Sequence, residues 1–384
     1  MYIQILKKLS LMNFSFWETD SWFSDIDYCI VGSGITGLNC ALRIKQQQPN
    51  SKVIMLEKGM LPEGASTKNA GFACFGSISE ILDDLNTHSK HEVVRLVEKR
   101  KKGLELLRNN LGDEIIDYQQ NGGYELFTEA DEELYKQCLE RIPEVNEILK
   151  PVFDKEVFEK SRNKFGFKKI QQDLIFNKFE GQIDTGKMMT ALVKKAITKE
   201  IRILNGVEVE SFEEIGSRIS ITTNKFNFQS KKLIIATNGF ASRLGIEQVK
   251  PARAQVLVTK PIKDIPFKGT FHLDKGYYYF RNIGNRVLFG GGRNLDFETE
   301  ETDKSGLTGI IQNRLKELLK TCVLPEIDFE IQQSWSGIMG VGDQKKPIIR
   351  EISNNIYCGV RLGGMGIAIG SMVGKELADL ALKS

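Results

Sequence analysis

Three glycines spaced as G-x-G-x-x-G occupy positions Gly32, Gly34 and Gly37 of this 384-residue sequence. The β-prone run Asp27–Val31 precedes them, and apolar residues at helical spacing follow from Ile35 to Gln48. In such a turn the first glycine allows the tight bend, the second lets the backbone approach a pyrophosphate, and the third lets helix and strand pack closely. The phosphates then lie at the helix N-terminus, where backbone N–H groups stabilise an anion.

An acidic residue lies at the distance that this motif requires. Glu57 follows the last glycine by 20 positions (57 − 37) and ends a second apolar run, Val53–Glu57. A carboxylate there accepts hydrogen bonds from ribose hydroxyls and would repel the 2′-phosphate of NADP. The strand, helix, strand and acid together predict a dinucleotide site, but they do not decide between NAD and FAD.

Three further segments, rich in small residues, favour a flavin. Residues 64–72 offer hydroxyl and amide donors soon after Glu57, and residues 234–239 are a strand that runs into a small-residue turn. The glycine-rich residues 363–370 precede a predicted final helix, Val373–Leu382, and would place backbone N–H groups at its start. A helix N-terminus stabilises the negative charge of a reduced flavin, and an NAD dehydrogenase would leave the loop at 64–71 without a role.

The composition excludes several classes of protein. The 53 basic and 50 acidic residues give a net charge of +3, too small for non-specific nucleic-acid binding. No run of 18 uncharged apolar residues is present, so we expect no membrane span. The six cysteines are widely spaced without a C-x-x-C pair, and there are only three histidines. We therefore expect buried thiols in a reducing compartment, the cytoplasm, and no metal centre.

The order of predicted elements indicates an α/β protein with an insertion. The βαβ pattern occurs near both ends and around residues 200–240, whereas residues 250–294 alternate as an antiparallel sheet would. We predict a Rossmann-like dinucleotide-binding domain with an inserted substrate domain built on a mainly antiparallel sheet (α+β). The predicted parts are an N-terminal extension at 1–24, the discontinuous binding domain at 25–78, 180–248 and 335–384, and the substrate domain at 79–179 and 249–334.

The extension resembles a signal peptide only weakly, because polar residues interrupt its apolar run and no small-x-small cleavage site follows. We expect a surface segment whose Trp17, Trp22 and Phe23 pack on the body.

Several separated motifs resemble the D-amino-acid oxidase-like FAD-dependent oxidoreductases, which include glycine oxidase, sarcosine oxidase and γ-glutamylputrescine oxidase. Residues 64–71 (GASTKNAG) are similar to the loop that lies against the isoalloxazine in the putrescine-type members. The other motifs that carry the resemblance, from about Asp25 to the end of the chain, are IIATNG at 234–239, PARAQ at 251–255, YYFR at 278–281, RVLFGG at 286–291, WSGI at 335–338, KPII at 346–349 and the glycine run at 363–370.

The resemblance implies a non-covalent FAD and hydride transfer from a C–H next to an amine to flavin N5, giving an imine that hydrolyses. It implies that Gly32, Gly34, Ile35, Thr36, Gly37, Glu57, Lys58 and the backbone of Val209 hold the ADP half of FAD. It also implies that the flavin is lined by Ser66, Lys68, Asn69, Ala70, Gly71, Thr237, Gly337, Gly363, Met365, Gly366 and Ile367.

The substrate side departs from the family pattern. Met339 stands where glycine oxidase-like members carry an arginine that grips the substrate carboxylate. The pocket therefore uses another cation or accepts an amine without an α-carboxylate. Arg281 is the candidate cation, with a surface salt bridge as its alternative role, and Tyr279 shares its side of the strand. Lys68 completes the expected set of substrate-side residues.

Two positions leave the chemistry open. Leu288 replaces the lysine that helps sarcosine oxidase-like members activate oxygen, so the electron acceptor is O2 or another molecule. His272 is a candidate base or an ordinary packed histidine. We expect an amine or amino-acid oxidase or dehydrogenase, with a 2-hydroxy-acid dehydrogenase of the same fold or a non-catalytic FAD-binding subunit as alternatives.

Overall fold

Two units, each interrupted along the chain, make up residues 13–383, which the computed structural model describes. Unit 1 contains residues 13–67, 186–251 and 339–383, and unit 2 contains residues 68–185 and 252–338. No helix within these residues has the length and apolar character needed to cross a membrane.

Unit 1 is built on an eight-stranded sheet with parallel strands at its centre. Its main path follows the order Ile348–Ser353, Ile356–Val360, Asn227–Ile235, Ile26–Val31, Val53–Glu57 and Arg202–Asn205, and Arg218–Thr223 and Val209–Ile215 extend it as an antiparallel pair beside Asn227–Ile235. Ile26–Val31 runs parallel to both of its neighbours, with Ile30 opposite Met55 and Ile234. Ile26–Val31 and Val53–Glu57 are almost entirely buried, as expected where both faces of a parallel sheet are covered, whereas Asn227–Ile235 becomes continuously apolar only over its last three residues.

Two helices of unit 1 pack unusually closely. Their bounds are Ile35–Gln47 and Gly366–Lys383. A Cβ on Gly370 would lie 2.6 Å from Cγ2 of Ile35, and one on Gly374 would lie 2.5 Å from the carbonyl oxygen of Thr36. Glycine is therefore required at this contact, because any side chain would push the helices apart.

The prediction that the last helix begins at Val373 was wrong, because it begins at Gly366. Its glycines lower the helix propensity but permit the packing that stabilises it. The remaining helical segments assigned mainly to unit 1 are Phe16–Glu18, the π-helical turn Thr19–Phe23, Thr185–Thr198 and the 3₁₀ segment Asn238–Leu244.

The N-terminal extension follows its prediction only in part, and its residues 1–12 lie outside the described residues. The Phe23 ring packs 4.7 Å from the Phe226 ring, as expected. Trp22 is 38% exposed and lies beneath the Arg202 guanidinium, whereas Trp17 is 75% exposed. The expectation that Trp17 packs on the body was wrong, since the helical turn Phe16–Glu18 contributes no buried residue.

Unit 2 contains the predicted, mainly antiparallel sheet. Its strands follow the order Ile331–Val341, Lys250–Thr259, Arg286–Gly291, Tyr278–Ile283, Thr270–Leu273, Gly123–Glu125, Asp173–Asn177 and Phe158–Arg162. A separate two-stranded sheet pairs Phe72–Ala73 with Gly181–Gln182. The helical segments of unit 2 are Ile78–Thr87, Lys90–Leu111, Asp113–Ile116, Glu129–Asp131, Glu132–Glu140, Ile142–Phe153, Arg293–Leu295, Phe297–Glu300, Gly309–Leu318 and the π-helical turn Leu319–Val323. The short helix Ala65–Lys68 spans the point in the sequence where unit 1 ends and unit 2 begins.

Aromatic packing forms the core of unit 2. Phe271 and Phe280 are fully buried on neighbouring strands, and their rings stack with centroids 4.7 Å apart. Ile327 packs against this core from an irregular segment that precedes the strand Ile331–Val341.

A buried ion pair explains part of the PARAQ motif. Both donors of the Arg253 fork, Nε and Nη2, bind the Glu300 carboxylate at 2.8 Å, and Nε2 of Gln255 donates to the same carboxylate at 3.0 Å. Fork geometry of this kind fixes orientation as well as charge. These residues therefore hold the segment around Glu300 on the strand Lys250–Thr259.

The units divide the chain differently from the sequence boundaries. Residues 68–78, 180–185 and 335–338, which the sequence placed in the first domain, belong to unit 2, and residues 249–251, which it placed in the substrate domain, belong to unit 1. For the first two segments the reason is local: Phe72–Ala73 pairs with Gly181–Gln182, and the N–H of Ile183 donates to the carbonyl of Gly71 at 2.9 Å.

Candidate functional site

The glycine turn of unit 1 has the close contacts that its sequence predicts. Gly32 has a φ of +100°, and a Cβ there would lie 2.9 Å from the carbonyl oxygen of Ala236. A Cβ on Gly37 would lie 2.1 Å from the carbonyl oxygen of Gly32, so any side chain would force the helix away from the strand. Gly34 lies beside Ser66, whose Oγ accepts from the N–H of Ile35 at 2.9 Å. Ser66 is thus placed at the N-terminus of the helix.

Two buried hydroxyls at this turn lack an acceptor or donor. Thr36 Oγ1 and Thr237 Oγ1 are buried and have no hydrogen-bond partner among residues 13–383. Thr237 follows Ala236, and its Cα lies 3.5 Å from a Cβ built on Gly32, so it flanks the turn. Buried polar atoms are almost always hydrogen-bonded, so an unmet hydroxyl at such a turn indicates a bound polar group.

The acid of the motif is buried at the same end of the sheet. Glu57 is 6% exposed, and its carboxylate accepts from Ser33 N at 3.1 Å, Ser33 Oγ at 2.8 Å and Gly59 N at 3.1 Å. These donors fix the carboxylate beside the glycine turn. Lys58 is exposed, with Nζ 3.5 Å from the ring centroid of Phe240. Val209 is buried at the start of its strand.

The C-terminal glycine run leads into the N-terminus of the helix Gly366–Lys383 in unit 1. Gly363 and Gly364 have φ angles of +57° and +82°, and the helix follows from Gly366. The expected site residues Met365 and Ile367 flank this start; Ile367 is buried.

Asn238, which was not among the predicted site residues, fixes the backbone at residues 361–362, just before that helix. Its Oδ1 accepts from the N–H groups of Arg361 at 3.1 Å and Leu362 at 3.2 Å. Its φ of +46° is a conformation that asparagine tolerates better than most residues. The sequence Thr-Asn-Gly after an apolar strand could have indicated this role, because asparagine favours turns and its side-chain amide oxygen can accept hydrogen bonds from the backbone.

In unit 2, the Arg281 side chain fixes the loop at residues 68–71 through hydrogen bonds to backbone carbonyls. This side chain is 5% exposed; Nε donates to the carbonyl of Ala70, and Nη2 donates to the carbonyl of Ile183 at 2.9 Å. Burial lowers its pKa to about 10, while Asp184 and Asp117 act in the opposite direction. The guanidinium is charged at neutral pH and joins the loop to the segment beside it.

Side-chain hydrogen bonds also fix Lys68 and Asn69 in this loop. Asn69 Oδ1 accepts from Gly71 N at 2.8 Å and from Thr185 Oγ1 at 2.9 Å. Trp335 Nε1 donates to the carbonyl of Lys68 at 2.9 Å, and a Cβ on Gly337 would lie 2.7 Å from Cβ of Lys68. Gly337 is therefore needed where the chain passes Lys68.

An apolar cluster supports the same loop. Ala70 and Leu288 are buried together with Val256, and Tyr279 packs against them. Tyr279 lies on the Arg281 side of its strand, as predicted, whereas Tyr278 lies in the aromatic core. Burial raises the pKa of Tyr279 to about 12, so its hydroxyl is protonated at neutral pH.

Met339 belongs to unit 1. Its sulfur lies 3.5 Å from a Cβ built on Gly364, beside the C-terminal glycine run.

The residues of unit 1 fit the phosphate half of a dinucleotide. A glycine turn that excludes side chains, two buried hydroxyls without partners and a helix N-terminus form a cradle for an anion. The adjacent carboxylate of Glu57 suits a ribose.

Comparison with known proteins agrees with this geometry. A sequence model of the FAD dependent oxidoreductases (DAO) matches residues 27–380. The probable oxidoreductase OrdL of Haemophilus influenzae is 21% identical, over 93% of this chain and 83% of its own length. The γ-glutamylputrescine oxidoreductase of Escherichia coli K12 is 23% identical, over 92% of this chain and 83% of its own length.

Solved structures show the same fold. Glycine oxidase from Geobacillus kaustophilus superposes with a TM-score of 0.75 at 19% identity, covering 93% of this chain and 95% of that one. L-proline dehydrogenase from P. horikoshii superposes with a TM-score of 0.73 at 18% identity, covering 94% of each chain. The mixed α/β fold with an inserted antiparallel sheet is thereby confirmed, and the chain belongs to the DAO family of FAD-dependent oxidoreductases.

Proposed function

We propose that this protein oxidises an amine or amino acid, passing a hydride from the C–H next to the amine to N5 of a non-covalent FAD and releasing an imine that hydrolyses. The pair of buried, unpartnered hydroxyls of Thr36 and Thr237 at a side-chain-free glycine turn supports the binding of FAD, and the similarity to γ-glutamylputrescine oxidoreductase and glycine oxidase supports an amine as substrate. FAD supplies the redox chemistry, and the protein supplies binding, orientation and charge.

The residues of unit 1 are suited to the ADP half. The Glu57 carboxylate, held by Ser33 and Gly59, would accept from the ribose hydroxyls. The Ile35 helix N-terminus and the Thr36 hydroxyl would bind the pyrophosphate. Gly32, Gly34 and Gly37 would keep the approach open, while Lys58 and the Val209 backbone would flank the nucleoside.

Residues proposed to line the flavin occur in unit 1 and in unit 2. In unit 1, Ser66, Thr237, Gly363, Met365, Gly366 and Ile367 offer a hydroxyl pair and a helix start. The Gly366–Lys383 helix has 18 residues, and its N-terminus would favour negative charge on a reduced flavin. In unit 2, Lys68, Asn69, Ala70, Gly71 and Gly337 form a loop whose conformation Arg281 and Trp335 fix.

The substrate-side set of Arg281, Tyr279, Met339 and Lys68 is also part of the proposal. Two donors of Arg281 already face backbone carbonyls, so we assign it a positioning role toward the loop. The protonated Tyr279 hydroxyl is a hydrogen-bond donor near that loop. With Met339 in place of an arginine, an amine without an α-carboxylate is the favoured substrate class.

Non-covalent attachment of FAD is supported by the cysteines. All six are buried, and burial raises their thiol pKa values. A thiol that resists ionisation is a poor nucleophile for forming a bond to flavin.

Anaerobic mixing of the FAD-loaded protein with a panel of amines, amino acids and 2-hydroxy acids tests the proposal. We expect flavin absorbance to bleach with a subset of the amines. Bleaching by 2-hydroxy acids alone would replace the amine chemistry with alcohol chemistry. Absence of bleaching with every compound, together with a protein that co-purifies, would favour a non-catalytic subunit.

A further inference from the structure

Three potential metal ligands meet in the interior of unit 2, outside the residues assigned to FAD. The Sγ of Cys74, a carboxylate oxygen of Glu180 and a ring nitrogen of His272 all lie within 4.8 Å of one another. All three residues are buried, at 5%, 1% and 6% exposure. The scarcity of histidines and the lack of a C-x-x-C pair predicted no metal centre.

Sheet pairing explains how they meet. Cys74 directly follows the strand Phe72–Ala73, and Glu180 directly precedes its partner Gly181–Gln182, with Ala73 opposite Gly181. The antiparallel register therefore places Cys74 and Glu180 side by side at the end of this small sheet. His272 comes from the strand Thr270–Leu273 of the eight-stranded sheet of unit 2, and its ring lies 5.2 Å from that of Phe72.

The imidazole of His272 points to a missing ligand. Its Nε2 is buried and has no hydrogen-bond partner among residues 13–383; Glu180 Oε2 is 3.7 Å away, beyond hydrogen-bond distance. Two ligands about 2.0–2.1 Å from a tetrahedral ion are separated by roughly 3.4 Å, close to this spacing. A metal ion between the two atoms would satisfy both.

The carboxylate is already oriented for such an ion. Glu180 Oε1 accepts from Phe75 N at 3.0 Å, which leaves Oε2 directed to the cluster. A Cβ on Gly123 would lie 1.9 Å from that Oε2, so glycine makes the room the carboxylate occupies. Second hydrogen bonds of this kind are typical of metal-binding carboxylates.

The local charge favours a divalent cation. The half-buried Glu80 and the buried Glu125 act electrostatically on His272 together with the buried Glu180, and Arg100 is the cation acting on Cys74. Buried negative charge in excess is costly unless a cation compensates it.

We infer that Cys74, Glu180 and His272 form a zinc site. The ion would hold together the end of the two-stranded sheet Phe72–Ala73 and Gly181–Gln182, which follows the loop at residues 69–71. Sulfur, nitrogen and oxygen ligands together match the preference of Zn²⁺, whereas Mg²⁺ and Ca²⁺ prefer oxygen alone. Zn²⁺ in proteins is usually four-coordinate, so these three ligands leave one further coordination position. The ion is structural in this account, because it fixes Cys74, three residues after Gly71, against the strand that carries His272.

Zinc itself is the probe. The FAD-loaded protein is incubated with Zn²⁺, dialysed against metal-free buffer and measured by elemental analysis and zinc-edge X-ray absorption. We expect about one zinc per chain, with one sulfur at about 2.3 Å and nitrogen or oxygen neighbours at about 2.0–2.1 Å. Retention of less than about a tenth of a zinc per chain, or zinc without a sulfur neighbour, is an adventitious ion only and overturns the inference.

Variants locate the site. Cys74→Ala and His272→Ala should each lower retained zinc at least about tenfold, whereas Cys322→Ala, a buried cysteine of the aromatic core, should retain the parental amount. Equal retention by Cys74→Ala overturns the assignment. Flavin content is measured in the same samples, so loss of FAD binding and loss of zinc are separable. If a variant fails to fold, the sulfur distance in the parent protein still decides.

Discussion

Replacing Arg281 by methionine should destabilise unit 2 even in the absence of FAD. The substitution leaves the buried carbonyls of Ala70 and Ile183 without their donors. Each orphaned carbonyl costs about 1–3 kcal/mol, so the pair costs about 2–6 kcal/mol. Part of this free energy is recovered, because the substitution also removes a charge whose burial is unfavourable, as the lowering of the Arg281 pKa to about 10 indicates. A net loss of about 2–4 kcal/mol is expected.

Calorimetry of the FAD-free protein measures this loss. For a unit of this size, 1 kcal/mol shifts the unfolding midpoint by about 2–4 °C, so Arg281→Met should lower it by about 5–15 °C. Arg286→Met is the matched control on the same hairpin, because its Nε binds Gln332 at the surface at 3.0 Å. We expect that control to stay within about 2 °C of the parent.

Kinetics distinguish positioning from direct substrate contact. If Arg281 holds the loop, Arg281→Met lowers both the midpoint and the FAD affinity. An unchanged midpoint with a raised KM for acidic substrates alone would refute the loop-holding role and restore the guanidinium as a carboxylate ligand.

Three further substitutions test the FAD-binding half. Gly37→Ala places a Cβ 2.1 Å from a backbone carbonyl and should abolish FAD retention in the purified protein, whereas Gly309→Ala, with open space around it, should not. Gly374→Ala should lower the melting midpoint by several degrees, because its Cβ would lie 2.5 Å from a carbonyl of the facing helix; an unchanged midpoint would show that the helices can separate freely. Thr237→Val removes an unpartnered hydroxyl, so it should leave the FAD-free midpoint unchanged while weakening FAD binding about 2–10-fold by titration, and equal affinity would remove this hydroxyl from the site.

The sequence predicted elements best where local pattern and tertiary packing agree. Val53–Glu57 has the predicted bounds because its continuous apolar run is buried throughout, and the helix predicted from Ile35 to Gln48 ends one residue earlier, at Gln47. The helix Gly366–Lys383 was predicted too short, since its glycines read locally as helix breakers. Only the facing helix, which touches Gly370 and Gly374, shows why they are there.

In the candidate site, too, contacts between residues far apart in the sequence could not be predicted. The glycine turn and Glu57 were predictable because spacing within one βαβ unit fixes their geometry. The acceptors of Arg281 were not, because its carbonyl partners lie 211 and 98 positions away. The meeting of Cys74, Glu180 and His272 likewise depends on the register of two short strands, which no local pattern reports.

The flavin content of the purified protein shows whether this chain binds FAD and whether the bond to it is covalent. After incubation with excess FAD and gel filtration, we predict about one FAD per chain, released into the supernatant by acid precipitation because it is not covalently attached. A protein that retains no flavin after this treatment, or whose dinucleotide site is filled by NAD in competition with FAD, would contradict the account.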